Sequence, residues 1–435
     1  MNLVCSLFLI EVLVAMVDDP RSFLTMLFDA AIKAADPAKA LKGNLPERPR
    51  GRTVVVGAGK GVAQLAAAFE AAWDAPLSGV VVTRYAYGAA CQQIEVLEAS
   101  HPVPDVAGLK AAERILAEVA GLGPDDLVVV LVCGGGSALL PAPPDGFGLD
   151  SEIGLNQALL ESGAPITVMN AIRKRFSRIK GGRLAAAAAP ARVHTLIVSD
   201  IPGDDPAQVA SGPSVADQTD AKAVLDSIAH YGIDLPGSVL DFIASSKANP
   251  PKPDDRIFTN NVTRVIASAA VSLEAAAACA MKAGIEAHIL SDAVEGEARE
   301  VAKVHAALAR EIAIRNRPFS KPAVILSGGE TTVTLKGSGK GGRNSEFLLS
   351  LALAIEGMSG IHALAADTDG IDGSEDNAGA FCDGSSAIAM RARGGDPLAL
   401  LANNDAWSAF NLTGDLFVPG PTGTNVNDFR AILIR

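Results

Sequence analysis

The chain has 435 residues, more than one hydrophobic core usually serves, so two domains are expected. Hydrophobic residues make up 49 % and charged residues 20 %, a balance that excludes a disordered chain. Thirty-seven basic residues stand against 49 acidic ones, a net charge of −12. No basic stripe is available to displace counterions, which excludes nucleic acid as a partner.

The apolar run before Met16 is interrupted by Glu11, has no basic residue ahead of it and is too short to span a bilayer. Residues 1–15 are read as a non-native or start-site extension, with a signal anchor as the alternative. "MVDDPRSFLTMLFDAAIKAADP" then reads as an amphipathic helix whose start signal is "DDP". No membrane partner is expected. The five cysteines are scattered without a CxxC pair and read as reduced thiols of a cytoplasmic protein. The six histidines show no metal spacing.

From Arg52 the pattern is strand, turn, helix, repeated. "TVVVGAGKGVAQLAAAFEAAW" predicts a buried strand, a glycine turn and a helix with Val62, Leu65, Phe69 and Trp73 on one face. "GVVVTR", "DDLVVVLVCGGGSALL" and "VHTLIVSDIPGDDP" add strands. Their unbroken Val/Leu/Ile runs suit a parallel sheet covered on both faces. Helices are predicted at 108–122 and 155–161. "MNAIRKRFSRIKGGRLA" reads as one further helix, with Val168, Ile172, Phe176 and Ile179 as its apolar stripe. Asn170, Arg173, Ser177 and Lys180 form a polar stripe that is either a solvated basic face or an anion site.

"SSKANPPKPDD" reads as a linker or long loop. It divides a doubly wound, mostly parallel, Rossmann-like α/β domain (residues 16–248) from a second α/β domain (249–435). In the second, "AVILS" and "TTVTL" read as separate strands, and strand patterns near the C-terminus suggest a mixed sheet.

Ligands of open α/β sheets bind beyond the carboxyl ends of strands. Five predicted strands are followed there by Gly57–Gly61 with Lys60, by Gly134, Gly135, Gly136 and Ser137, by Asp200, by Gly328–Thr331 with Glu330, and by Asp367–Gly370 with Asp369. No nucleotide motif of known kind is met. A dinucleotide fingerprint needs a third glycine or alanine where Val62 stands. A Walker loop needs glycine where Val54 stands and Ser or Thr where Gly61 stands. "GSGKGGRNSEF" fails the same test at Thr334 and Gly341. It reads instead as a glycine-rich arm that delivers Arg343, at a helix start, in preference to Lys340. The acidic "ADTDGIDGSEDNAG" lacks EF-hand register. The inventory of lysine, arginines, glycine nests and strand-end carboxylates contains no histidine and no GxSxG. That set fits phosphoryl transfer, where catalysis is positioning and charge neutralisation.

"VCGGGSALLPAP", "MNAIRKRFSRIKGGRLA", "SDIPGDDPAQVASGP", "SGGETTVTLKGSGKGGRNSEF", "AADTDGIDGSEDNAGAF" and "LTGDLFVPGPTGTNVNDF" together resemble the glycerate 2-kinase (MOFRL) family, whose members are often labelled hydroxypyruvate reductases of tartrate utilisation. The resemblance implies two α/β domains with the active site in the cleft between them. It implies ATP and Mg²⁺, and phosphorylation of D-glycerate to 2-phosphoglycerate. By motif, Lys60 and Arg343 would act on the transferred phosphoryl and Asp369 would be the base or a metal-side carboxylate. Gly134 to Ser137 would contact substrate or phosphate. Asp200, Glu330 and Asn344 would complete the site, and Asp200, Glu330 and Asp369 are the candidate metal donors. Two rivals stay open, an NAD(P)H-dependent hydroxypyruvate reductase and a non-catalytic sugar-acid sensor. Homo-oligomerisation is open too.

Overall fold

Valine-rich runs without polar alternation can be buried on both faces only where helices cover a sheet from both sides. The first of two units, residues 37–266, is built that way. The structure, a computed structural model, describes residues 19–435. The expected extension at 1–15 therefore lies outside the described residues.

The strands of this unit are β1 (Thr53–Ala58), β2 (Ser78–Arg84), β3 (Ile94–Ala99), β4 (Leu127–Cys133), β5 (Arg192–Val198) and β6 (Val262–Ala267). Their order is β3-β2-β1-β4-β5-β6. β1 pairs in parallel with β2 and β4, β2 with β3, and β4 with β5. This is a doubly wound order, and it reverses direction between β1 and β4. Every residue of β1 and β4 is buried. Val54, Val56, Val128 and Val130 pack with Ala111, Ile115 and Val119 of the helix Val106–Val119. A satellite core forms within the segments that connect β4 to β5 and β5 to β6, where Leu155, Ile172 and Phe176 meet Val224, Val239 and Ile243.

Two expectations change here. The helix predicted through "MNAIRKRFSRIKGG" stops at Arg175, with Phe176 as its cap, and resumes as Arg183–Ala188. Ser177 turns the chain, because its hydroxyl accepts from the backbone N–H of Ile179 and of Lys180, each at 3.2 Å. A local side-chain bond of this kind competes with helix continuation. The expected linker is instead tied down. The buried Arg175 donates to the carbonyls of Ile243 and Ser245 and to Asn249, and Arg183 donates to the Ala248 carbonyl. By contacts the first unit continues through this segment to Ile266.

The second unit contains residues 267–435 and the helix Pro20–Ala34. Asp19 caps that helix by accepting from the N–H groups of Arg21 and Ser22, which confirms "DDP" as a start signal. The strands are β7 (Glu286–Glu297), β8 (Ala323–Thr332), β9 (Ile361–Asp367), β10 (Gly379–Asp383), β11 (Leu416–Phe417) and β12 (Asp428–Ile434). They lie in the order β11-β10-β9-β12-β8-β7. Only β7 and β8 pair in parallel, so the expected mixed sheet is present. "AVILS" and "TTVTL" are not two strands. β8 runs through Gly328-Gly329 to Thr332, which places Glu330 inside the strand. Phe23, Leu24, Leu27 and Phe28 cover one face of this sheet with Leu273 and Ala276, while Ala302, Ala306, Phe347 and Leu351 cover the other.

Candidate functional site

The first unit places its chemistry at the β1/β4 switch point, where an open doubly wound sheet leaves a crevice. The turn after β1 and the turn after β4 are joined there, because the Lys60 N–H donates to the Gly134 carbonyl at 2.8 Å. Thr83 Oγ1 donates to the Lys60 carbonyl at 3.0 Å and fixes the turn from the β2 side. The glycines are needed for close approach. A Cβ on Gly134 would stand 1.8 Å from Asp200 Oδ2. Gly135 has φ +79°, and a Cβ there would meet His101 Nε2 at 2.9 Å and Lys60 Cγ at 3.1 Å. Lys60, Gly134, Gly135 and Asp200 therefore form one cluster, as expected.

Gly136 and Ser137 open a short helix, Gly136–Leu139. The Ser137 and Ser211 hydroxyls are 2.8 Å apart, and Ser211 donates to Asn170 Oδ1 at 3.1 Å. Arg173 donates from one side to Asn170 Oδ1 at 3.1 Å and from the other to Asn156 Oδ1 at 2.7 Å. Asn170 and Arg173 of the expected polar stripe thus belong to a hydrogen-bond chain running to the glycine turn, not to a solvated face. Burial pulls the Arg173 guanidinium below its ordinary value. Ser211 was not among the sequence candidates. It lies between Ala210 (φ +50°) and Gly212 (φ +57°) and itself has φ +59°. Consecutive non-glycine residues in the left-handed region cost free energy and tend to mark functional loops.

Lys180 is placed differently. It is 1 % exposed, and its ammonium donates to Glu152 at 2.7 Å and to the Leu140 carbonyl at 2.8 Å. Glu152 in turn accepts from the Ala142 N–H at 2.9 Å. This buried pair holds the segment that follows Ser137 and leaves Lys180 no free charge for a ligand.

His101 is the second residue missed. It follows β3, whose end carries no glycine turn and no strand-end carboxylate of the kind that marks β1, β4 and β5. Burial, with Lys60 and Arg84 nearby, lowers its pKa from the ordinary value to about 4. A separate cavity of about 820 Å³ lies at the amino ends of the strands, lined by Arg48, Arg50, Arg192 and Arg256. It is remote from every strand-end residue above.

The second unit gathers Arg343, Asn344, Glu330, Asp367 and Asp369. Arg343 is the first residue of the helix Arg343–Ala354. Its Nε donates to Asp428 at 2.6 Å, its two other nitrogens to Glu330 at 3.1 Å and to Asp367 at 2.8 Å. Asn344 Nδ2 also donates to Asp428, at 2.8 Å. Lys340 is more than half exposed, lies over the Trp407 ring and pairs with Glu375. Of the two cations only Arg343 is built into the cluster.

Asp428, absent from the sequence candidates, is the hub. Burial would raise it, but Arg430 and Arg343 outweigh burial and hold it below the ordinary carboxylate range. Asp367 behaves oppositely. Burial, with Asp369 and Asp428 adding to it, pushes it well above the usual range although Arg343 is adjacent. The Arg343 guanidinium, shared among three carboxylates, lowers it less than burial raises it. Asp367 Oδ1 accepts from the Asp369 N–H at 3.1 Å, and Asp369 Oδ1 accepts from the Ile371 N–H at 2.9 Å. A cavity of about 360 Å³ is lined by Arg343, Asp367, Thr331, Gly342 and Asp372, a size suited to a small ligand. Among the described residues no three His, Cys, Asp or Glu side chains could hold a metal ion by themselves.

Comparison with known proteins agrees with this architecture. Residues 23–244 match a domain of unknown function (DUF4147) and residues 323–428 match the MOFRL family. A D-glycerate 2-kinase of Thermotoga maritima is 38 % identical over 96 % of this chain and 99 % of its own length. The chain belongs to the glycerate 2-kinase (MOFRL) family. A solved glycerate kinase structure from Thermotoga maritima superposes with a TM-score of 0.87 at 37 % identity, covering 96 % of this chain and all of that one. An Agrobacterium vitis protein with the provisional name hydroxypyruvate reductase is 54 % identical over 95 % of this chain and 94 % of its own. The glycerate 2-kinase family therefore carries both names among its close relatives, as the sequence blocks implied.

Proposed function

We propose that this enzyme transfers the γ-phosphoryl group of ATP to the 2-hydroxyl of D-glycerate, giving 2-phosphoglycerate. The observation that carries the reading is the pair of cations that the fold builds into its two strand-end clusters. Lys60 stands over a glycine turn at the switch point, and Arg343 stands at a helix start among carboxylates, both on positions matched by the family's motifs.

Glycerate and the nucleotide phosphates are anions. Lys60 and the backbone of Gly134–Ser137 would hold an oxyanion, with Asn170 and Arg173 fixing Ser137 through Ser211. Arg343, charged at every working pH, would neutralise the transferred phosphoryl oxygens as charge spreads over them. Asp369 would accept the hydroxyl proton. Asp367, held above the usual carboxylate range beside it, is the alternative acceptor. Asn344 would keep Asp428 and the helix start in register, and Lys180 would support the glycine turn from behind.

Asp200, Glu330 and Asp369 are the candidate donors to Mg²⁺. Carboxylates of this kind suit a hard cation that takes one or two of them and completes its shell with phosphate oxygens and water; among the described residues no three such side chains form an all-protein cage. When bound, Mg²⁺ would neutralise phosphate charge. We place the reaction in the cytoplasm. No helix among the described residues is long and apolar enough to cross a membrane.

The reductase name and the doubly wound strand order favour a second reading, reduction of hydroxypyruvate by a nicotinamide cofactor. Val62 argues against it, since it stands at the first helix turn where the fingerprint needs a small residue for close packing. Purified protein with D-glycerate, ATP and Mg²⁺ should yield 2-phosphoglycerate by ³¹P and ¹³C NMR. It should leave NADH absorbance unchanged with hydroxypyruvate. NADH oxidation without ADP formation would replace the kinase reading by the reductase one.

A further inference from the structure

His101 touches the cluster that the proposed function assigns to an oxyanion, yet that function gives it no task. Its ring and the Lys60 side chain flank the same glycine: a Cβ on Gly135 would meet His101 Nε2 at 2.9 Å, His101 Cδ2 at 3.2 Å and Lys60 Cγ at 3.1 Å. Among the described residues its ring nitrogens have no hydrogen-bond partner. The cations facing it are Lys60, in the turn after β1, and Arg84, at the end of β2; the Asp200 carboxylate, after β5, belongs to the same cluster on the Gly134 side of the turn.

A half-buried imidazole between an ammonium and a guanidinium cannot carry a proton at low cost, and its pKa of about 4 keeps it neutral at working pH. Neutral, it offers one N–H donor and one acceptor. A neutral ring beside two cations and a glycine turn is placed to donate to the acceptor oxygens of an anion that those cations attract. We infer that His101 is a ligand-contacting residue that donates a hydrogen bond to the oxyanion bound by Lys60 over Gly135. It would add directional recognition without a third positive charge, so the anion is released more readily than from a site of three cations. The shared chemistry is an oxyanion, either the hydroxy acid's carboxylate or a nucleotide phosphate.

The inference rests on the oxyanion part of the proposed function, not on turnover. In wild-type protein labelled at its histidines, the His101 ring signal, assigned by its absence in His101→Gln, should move on saturation with D-glycerate or with inorganic pyrophosphate. Its pKa should rise by at least one unit in the complex. Which probe moves it names the source of the oxyanion. No response to either probe overturns the inference. Kinetics supply the second arm. His101→Phe should raise the KM for one substrate at least tenfold and leave the other within twofold, with His101→Gln recovering most of the loss through its amide N–H. Unchanged KM and kcat in His101→Phe also overturn it. If wild-type protein makes no 2-phosphoglycerate while the His101 signal responds, the kinase reading fails and the inference stands.

Discussion

Arg343 and Lys340 are three residues apart in one glycine-rich arm and have opposite surroundings. Arg343 is held by Asp428, Asp367 and Glu330, whereas Lys340 rests on Trp407 at the surface. Arg343→Ala should lower kcat at least a hundredfold, about 2.7 kcal/mol of transition-state stabilisation. Lys340→Ala should stay within twofold, with circular dichroism confirming both folds. Comparable losses in the two would show that the arm, not the guanidinium, matters. His305 permits a prediction that does not depend on the reaction. It is 4 % exposed, with Nδ1 against the Val301 carbonyl and Nε2 against Ser327 Oγ, each at 2.9 Å. These partners set the tautomer, with Nδ1–H donating and Nε2 accepting from the hydroxyl. Burial, the main cause, depresses its pKa to about 4. Between about pH 6.5 and pH 4 the unfolded chain binds the proton more readily, so this contribution is present above pH 6.5 and is lost as pH falls toward 4. It amounts to roughly 3 kcal/mol at about 1.4 kcal/mol per pKa unit. His305→Gln lacks it. The stability gap between wild type and variant in urea should therefore narrow by that order from pH 7 to pH 4.5. Parallel pH profiles would contradict the assignment. Asp367 and Asp372 titrate in both proteins and cancel in the difference.

The helix that carries Arg343 has its first turn held by a residue distant in sequence. Asp372 is 1 % exposed and accepts from the N–H groups of Asn344 at 2.9 Å and Ser345 at 2.8 Å, and from Ser345 Oγ at 2.7 Å. Asp372→Ala leaves those buried donors unpaired, a cost of roughly 2–4 kcal/mol. It also releases Arg343, so both the melting temperature and kcat should fall. Asp372→Asn keeps one acceptor oxygen and should fall less in each. Equal losses in the two variants would mean that the carboxylate charge, not the cap, is what counts. Elements of this kind show what sequence pattern conveys. The strand ends with their glycines and carboxylates were recognisable because buried parallel strands are continuous Val/Leu/Ile runs and because the turns after them need glycine. Lys60, Gly134, Gly135 and Asp200 were gathered on that basis, and the structure brings them together. Which helix Asp372 caps, Asp428 as the hub of Arg343 and Asn344, and Ser211 as a relay were not recognisable, since these partners lie 27 to 85 positions away. The break after Arg175 was missed for a different reason. An apolar stripe at helical spacing continues through Phe176 and Ile179, and only the Ser177 side-chain bonds overrule it.

At the scale of the chain, contiguity in sequence misleads in one place. The helix Pro20–Ala34 precedes the first unit, yet its partners are Leu273, Ala276, Ala277, Phe417 and Phe429 in the second. The Phe28 ring lies edge-on to Phe417 at 5.0 Å and to Phe429 at 5.8 Å. Thr424 Oγ1 donates to the Ala35 carbonyl and Ser272 Oγ to the Ala31 carbonyl, so the helix end is pinned as well. No periodicity within residues 20–34 announces that their apolar face belongs to strands nearly 400 residues later. The energetic consequence is large. Phe23, Leu24, Leu27 and Phe28 are each at most 1 % exposed. At roughly 1.5–3 kcal/mol per buried side chain they contribute about 6–12 kcal/mol. That is comparable with the whole net stability of a typical domain, about 5–15 kcal/mol. A chain beginning at Pro37 should therefore lose the second unit selectively. Its apolar sheet face would bind 8-anilinonaphthalene sulfonate, and amide exchange across β9 and β12 would speed up while β1 and β4 in the first unit stay protected. Adding the peptide 19–36 in trans should restore protection to β9 and β12. Unchanged exchange in the shortened chain would show that the sheet does not need the helix. Loss of protection in both sheets would show that the two units do not fold independently.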